Sequence, residues 1–188
     1  MTSSFRLASR RRRHGRLWMA VIAVAIAACT GVPPAQRKND MTATSLTLWQ
    51  AIDALVATMP FSVEGVEAVL PGRLSEDEQR SNDAFQFYKG NLIQLDSGVV
   101  IRNVDLRVRR APPHPAFLVL NLQGTCITLE VLRSRYPGLH ITGVPRGHSA
   151  EESTTHSLEA PWGRLSFGFK VSNPKCVDFV AFDPVELE

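Results

Sequence analysis

The side chains in this 188-residue chain that could do chemistry are three cysteines, five histidines and two short acidic runs. His140, His148 and His156 recur every eight residues, and the last two flank Glu151-Glu152-Ser153. A loop cluster around a cation is one reading of that spacing, and solvated loop histidines are the simpler one. The pairs within Glu76-Asp77-Glu78 and Glu151-Glu152 could serve general acid–base work, which needs two carboxylates held at different proton affinities. Adjacent acids in polar loops are more simply read as solvated. No cysteine has a Cys or His neighbour at metal-ligand spacing. The chain has no Gly-x-Ser-x-Gly elbow, Ser-x-x-Lys pair, His-Glu-x-x-His helix or phosphate loop. The expectation is a protein without catalytic residues, metal or cofactor, and not an enzyme.

Binding chemistry is better represented. Residues 99–110 alternate, with Val100, Val104, Leu106 and Val108 on one side and Asn103, Asp105, Arg107 and Arg109 on the other, as in a strand with period two. Arginine and aromatic groups give planar, low-entropy contacts and are enriched where partners bind most strongly. Phe87 or Tyr88 on a neighbouring strand would complete such a surface. The alternative is a solvated sheet face balanced by nearby acids. Trp162, in Pro161-Trp162-Gly163-Arg164, falls at a hairpin turn, either exposed toward a partner or folded back over the core edge. Asp105, Arg107, Arg109 and Trp162 are therefore the expected partner-binding residues.

The first residues give an address. Arg6, Arg10, Arg11, Arg12, Arg13 and Arg16 precede an uninterrupted apolar run from Leu17 to Ala28. Twelve residues are too few for a hydrocarbon core that takes about 20 in a helix, and the pattern reads as a secretory signal over 1–28. Ile26-Ala27-Ala28-Cys29 resembles the bacterial lipobox, which implies a lipid on Cys29 and cleavage before it. Thr30 in the following position then implies anchoring to the outer membrane, facing the periplasm. Removing six arginines and no acid leaves 15 basic against 18 acidic residues, a net of −3. That gives no footprint for nucleic acid. With Cys29 taken by lipid, Cys126 and Cys176 remain as an even pair in an oxidising compartment, where disulfides persist. Two separate buried thiols are the alternative.

Polar residues 29–44, with Pro33-Pro34, suit a tether before a single domain over 45–188. A helix is expected from a Ser45 cap through Leu48, Trp49, Ile52, Leu55, Val56 and Met59 to Pro60. A second runs from Val63 to Leu70 after Ser62. Strands follow from Phe85 to about Leu95, from Val99 to Arg110 and, after Pro112, Pro113 and Pro115, from Ala116 to Leu122. A third helix, Thr128 to Tyr136, precedes strands at 154–160, 165–169 and 177–182.

The second and third helices superimpose at an offset of 66: Ser62-Val63-Glu64 on Thr128-Leu129-Glu130, Val66 on Leu132, and Pro71-Gly72 on Pro137-Gly138. That points to an α+β fold, with short helices packed on antiparallel β-sheet in two tandem units, 45–122 and 126–188. This capped helix, its Pro-Gly stop and the alternation in Arg164–Phe169 and Cys176–Val180 resemble the modules of the β-lactamase inhibitor protein. They are also similar to the small lipoprotein of the outer-membrane barrel-assembly machinery, and residues 126–182 to immunity-type lipoproteins of proteobacteria. The resemblance implies a non-catalytic periplasmic lipoprotein that binds and inhibits an enzyme or toxin, or one that serves outer-membrane assembly.

Overall fold

The computed structural model describes residues 42–111 and 115–185. The signal segment, Cys29, most of the tether and the Pro112-Pro113 strand break lie outside the described residues.

Helix α1, Leu48–Val56, starts where Thr47 and Gln50 cap each other. The Thr47 hydroxyl accepts from the Gln50 backbone N–H at 3.2 Å, and the Gln50 side-chain Oε1 accepts from the Thr47 backbone N–H at 2.9 Å. This reciprocal pair satisfies two otherwise orphaned groups. Ser45 is therefore not the cap, and the helix stops at Val56, short of Met59. Helix α2, Val63–Val69, is capped by Ser62, and α3, Leu129–Arg135, by Thr128. Both caps agree with the sequence reading, as does the acid in each first turn, which suits the positive end of the helix dipole.

Among the described residues ten strands form one sheet: β1 Thr42–Ala43, β2 Ser75–Glu76, β3 Phe85–Gly90, β4 Ile93–Gln94, β5 Val99–Arg109, β6 Phe117–Gly124, β7 His140–Gly143, β8 Ser153–Ala160, β9 Gly163–Lys170 and β10 Phe179–Pro184. All pairings are antiparallel except β1 with β4. The expected strand 85–95 is two strands, β3 and β4, which share the same edge of β5. The fold of the described residues is thus mostly β, a large mixed sheet with three short helices, and fits the α+β expectation in that coarse sense. Helix α2 is followed by β2, β3, β4, β5 and β6, and α3 by β7 to β10. Neighbours across the sheet run β2-β3-β5-β6-β10-β9-β8-β7, so the two series meet where β6 pairs with β10.

One apolar cluster holds the fold together. It draws Leu48, Ile52 and Leu55 from α1, Val66 from α2 and Leu132 from α3. The sheet contributes Val104, Leu106, Leu118, Leu120, Leu122, Leu165, Phe167, Phe169, Val180 and Phe182 to the same cluster. A fully buried Leu or Phe contributes about 1.5–3 kcal/mol by leaving water. The helices therefore share one face of the sheet with every second strand residue.

Strand β5 departs from simple alternation. A bulge between Ile101 and Asn103 inserts one residue against β6, which switches the side on which later side chains emerge. Val99 and Ile101 join the core cluster with Val104 and Leu106, whereas Val100, although buried, does not. The expectation that Val100 shares a face with Val104 is corrected by that bulge. Cys126 and Cys176 form a disulfide, S–S 2.01 Å, across a separation of 50 residues. Beside it, Val177 donates from its backbone N–H to Ile127 at 2.9 Å.

Candidate binding surface on the outer sheet face

The register of three strands decides which side chains meet outside the core. Tyr88 pairs with Leu106, and Leu106 with Leu118, all facing the helices. The neighbouring row must face away: Phe87 opposite Arg107, and Arg107 opposite Phe117. Phe85 follows opposite Arg109. None of Phe85, Phe87 and Phe117 belongs to the core cluster or packs on it, and each is half-buried. Of the two aromatic neighbours considered for Arg107, Phe87 is the one beside it.

Arg107 is held from three sides. Its Cζ lies 5.6 Å from the Phe87 ring centre and 5.2 Å from that of Phe117, within cation–π range. Its Nε and Nη2 donate to Asp105 at 3.3 and 3.0 Å. Asp105 is 6 % exposed and also accepts from Arg80 Nη2 at 3.0 Å. Arg80 in turn lies 4.5 Å over Phe87. A buried carboxylate is costly unless paired, and here one carboxylate meets two guanidiniums. An open hollow of about 260 Å³ lies against this cluster, lined by Phe85, Phe87, Arg107, Phe117 and Asp183.

The outer face is charged again at its other end. Arg102 Nη2 donates to both Asp178 oxygens at 3.0 Å. Lys170 reaches Asp178 at 3.6 Å and Glu151 at 2.6 Å, and that lysine holds the Glu151 carboxyl below its usual range. Hydroxyls cross the strands nearby: Thr142 to Ser157 at 2.6 Å and Ser157 to Ser166 at 2.8 Å. The Phe179 ring covers Gly168, where a Cβ would stand 1.9 Å from it.

Trp162 lies apart from this face. It occupies the turn between β8 and β9, folded back on the core, 6.3 Å from Phe182. Two further hollows flank it. One of about 290 Å³ is lined by Val56, Met59, Pro60, Pro115, Pro161, Trp162, Pro184 and Val185. The other, of about 240 Å³, includes Ile52, Asp53, Tyr136 and Leu158. Trp162 and Arg107 thus share one end of the sheet, with β6 and β10 between their strands, and lie on opposite faces. Asp105, Arg107 and Arg109 stand together, and Trp162 does not join them. Phe85, Phe117, Arg80 and Asp183 were not anticipated from the sequence. The only signal for Phe117 was its place opposite Arg107, which needs the register.

The histidines do not converge. His156 is buried on the core face in edge contact with Phe169, its Nδ1 without a hydrogen-bond partner, and burial, then Arg133, pushes its pKa down. His140 and His148 are exposed. Among the described residues no three His, Cys, Asp or Glu side chains are placed to hold a metal ion. The acidic runs are engaged instead: Asp77 with Lys89 at 3.4 Å, Glu76 with Arg110 at 3.8 Å, and Glu152 accepting from the backbone N–H groups of Arg146, Gly147 and His148. No helix among the described residues is long and apolar enough to cross a membrane. Comparison with protein-family models, curated proteins and solved structures returns no match.

Proposed function

We propose that this chain is an exported lipoprotein, lipidated at Cys29 and held on the outer membrane, whose domain acts in the periplasm by binding a protein. The role is inhibition of an enzyme or toxin, without catalysis, metal or cofactor. The observation that carries it is the division of the sheet. Three helices share a core with one face, while the other presents aromatic rings fixed around Arg107 and Asp105. Rigid aromatic and guanidinium groups that need no reordering on contact are the groups that dominate protein interfaces. Asp105, Arg107 and Arg109 form its centre, with Trp162 a separate contact at the same end.

We also propose that the domain is a tandem repeat over 45–122 and 126–188. Support comes from the similar order of α2-β2-β3-β4-β5-β6 and α3-β7-β8-β9-β10, in which the two-residue β4 has no counterpart, and from their meeting at β6 and β10. Duplication of such a unit would fuse two short sheets into one broad platform.

The test is affinity capture from periplasm with the chain lacking residues 1–28, disulfide intact, against a variant carrying Phe87→Ala and Phe117→Ala. One enzyme or toxin retained by the parent and lost by the variant is expected. Capture of no such partner overturns the binding role. Mass spectrometry of the membrane fraction tests the lipid separately, and an intact leader on a cytosolic product overturns export.

A further inference from the structure

Resting on the binding role just proposed, we infer that the hollow between Phe85, Phe87, Phe117, Arg107 and Asp183 is the seat for an acidic–apolar pair projecting from the partner protein. The partner places a carboxylate against Arg107, an apolar side chain among the three rings, and a hydrogen-bond donor toward Asp183.

The charge and the shape of the hollow select that chemistry. A guanidinium has five N–H donors in a fixed fork. Arg107 turns Nε and one N–H of Nη2 toward Asp105, and Nη1 has no acceptor among the described residues. Asp105 is shared with Arg80, so one carboxylate faces two cations and a second carboxylate is electrostatically welcome. The Arg107 side chain is 37 % exposed and the Asp105 side chain only 9 %, so the guanidinium, and not the carboxylate, is within reach of a partner. Its orientation is already fixed by two rings and a carboxylate, and a partner therefore loses little entropy by meeting it.

The volume of about 260 Å³ is below the usual range for small-molecule sites and suits one inserted side chain beside the carboxylate. Asp183, opposite Arg164 in the β10–β9 register, gives the far side of the hollow the opposite sign. A ligand with an acid at one end and an amide or cation at the other matches that polarity, and a purely cationic ligand does not. The Trp162 hollows lack this: the first has no charged lining residue, and the Asp53 of the second is paired with Arg135 at 2.6 Å.

The experiment is an NMR titration of the chain lacking residues 1–28, at low salt, with three blocked dipeptide amides: glutamyl-phenylalanine, glutaminyl-phenylalanine and lysyl-phenylalanine. The glutamyl probe should shift the Arg107 Nε and the backbone amides of Phe87 and Phe117. It should bind about tenfold more tightly than the glutaminyl probe, the worth of one charge-assisted hydrogen bond. The lysyl probe should bind weakest. Replacing Asp105→Asn together with Arg107→Met removes the pair without stranding a buried charge and should abolish the preference, while Val144→Ala, at an exposed position outside the hollow, should not. Equal binding of the acidic and neutral probes, shifts confined to the Trp162 hollows, or shifts that follow self-association of the chain overturn the assignment. If a captured partner still binds the double variant, this seat falls and the binding role stands. If no partner exists but the glutamyl preference is found, the binding role falls and the chemistry of the hollow stands.

Discussion

Replacing Asp105 with asparagine keeps the shape of the side chain and removes the charge between Arg80 and Arg107. The carboxylate accepts three contacts, at 3.0 Å from Arg80 and at 3.0 and 3.3 Å from Arg107. Hydrogen bonds to a charged group contribute about 1.5–3 kcal/mol when sheltered. The two arginine side chains, however, are 42 % and 37 % exposed, and solvent reduces exposed pairs to about 0.2–1 kcal/mol. Taking about 1 kcal/mol for each guanidinium, and adding the repulsion of two cations left around Phe87, gives a loss of about 2–3 kcal/mol. At about 3 °C per kcal/mol for a domain of this size, Tm falls by about 6–9 °C. Thermal unfolding of the parent, D105N, R107M and the double variant completes a cycle. Residues in direct contact should be non-additive, and the double variant should recover about 1 kcal/mol relative to the sum. High salt should shrink the difference. A D105N protein within about 0.5 kcal/mol of the parent, or a strictly additive cycle, would refute the idea that this buried carboxylate organises the patch.

Reduction of Cys126–Cys176 releases a separation of 50 residues, worth roughly 4 kcal/mol in the chain-entropy model. Calorimetry with and without reductant should show Tm lower by about 12 °C, and near-identical curves would place the constraint elsewhere. Gly163 has φ +136°, and a Cβ there would stand 2.3 Å from the Asp183 carbonyl oxygen. Gly163→Ala should therefore cost at least about 1–3 kcal/mol and loosen β9 from β10, read by amide exchange of Leu165 and Phe182. Burial lowers the His156 pKa, so the unfolded chain takes up this proton first as pH falls. The stability held by neutral His156 is present above about 6.5, the unfolded value, and is lost as pH falls from there through the lower folded value. The loss is at most about 1.4 kcal/mol per pH unit, and His156→Phe should flatten that slope in pH-dependent unfolding. An unchanged slope would assign acid sensitivity to other groups.

Local rules carried much of the fold in the sequence, and long-range rules carried the site. The Ser62 and Thr128 caps were legible because a hydroxyl, a first-turn acid and a Pro-Gly stop lie within eleven residues. The sequence reading placed the first cap at Ser45; Thr47, with Gln50 three residues on, carries the capping-box signal that identifies the true cap. The β5 bulge had no such local mark, and it displaced Val100 from the face that simple alternation assigned. Arg107 and Arg109 were readable as an outward row. That Phe117, ten residues beyond Arg107, and Arg80, twenty-seven before it, close around that row depends on strand register and loop placement. Asp105 looked like an open contact for the same reason: it is buried and bonded by Arg80 as well as Arg107, and the alternation of β5 does not mention Arg80.

The pairing of β6 with β10 bears on when the molecule can assemble. β10 leaves the ribosome after every other described strand, yet it occupies the gap between β6 and β9, so earlier portions of the nascent polypeptide have no complete sheet to collapse into. On the proposed export route, a polypeptide that cannot finish until its closing strand emerges stays threadable through a translocation channel and acquires its shape on the far side.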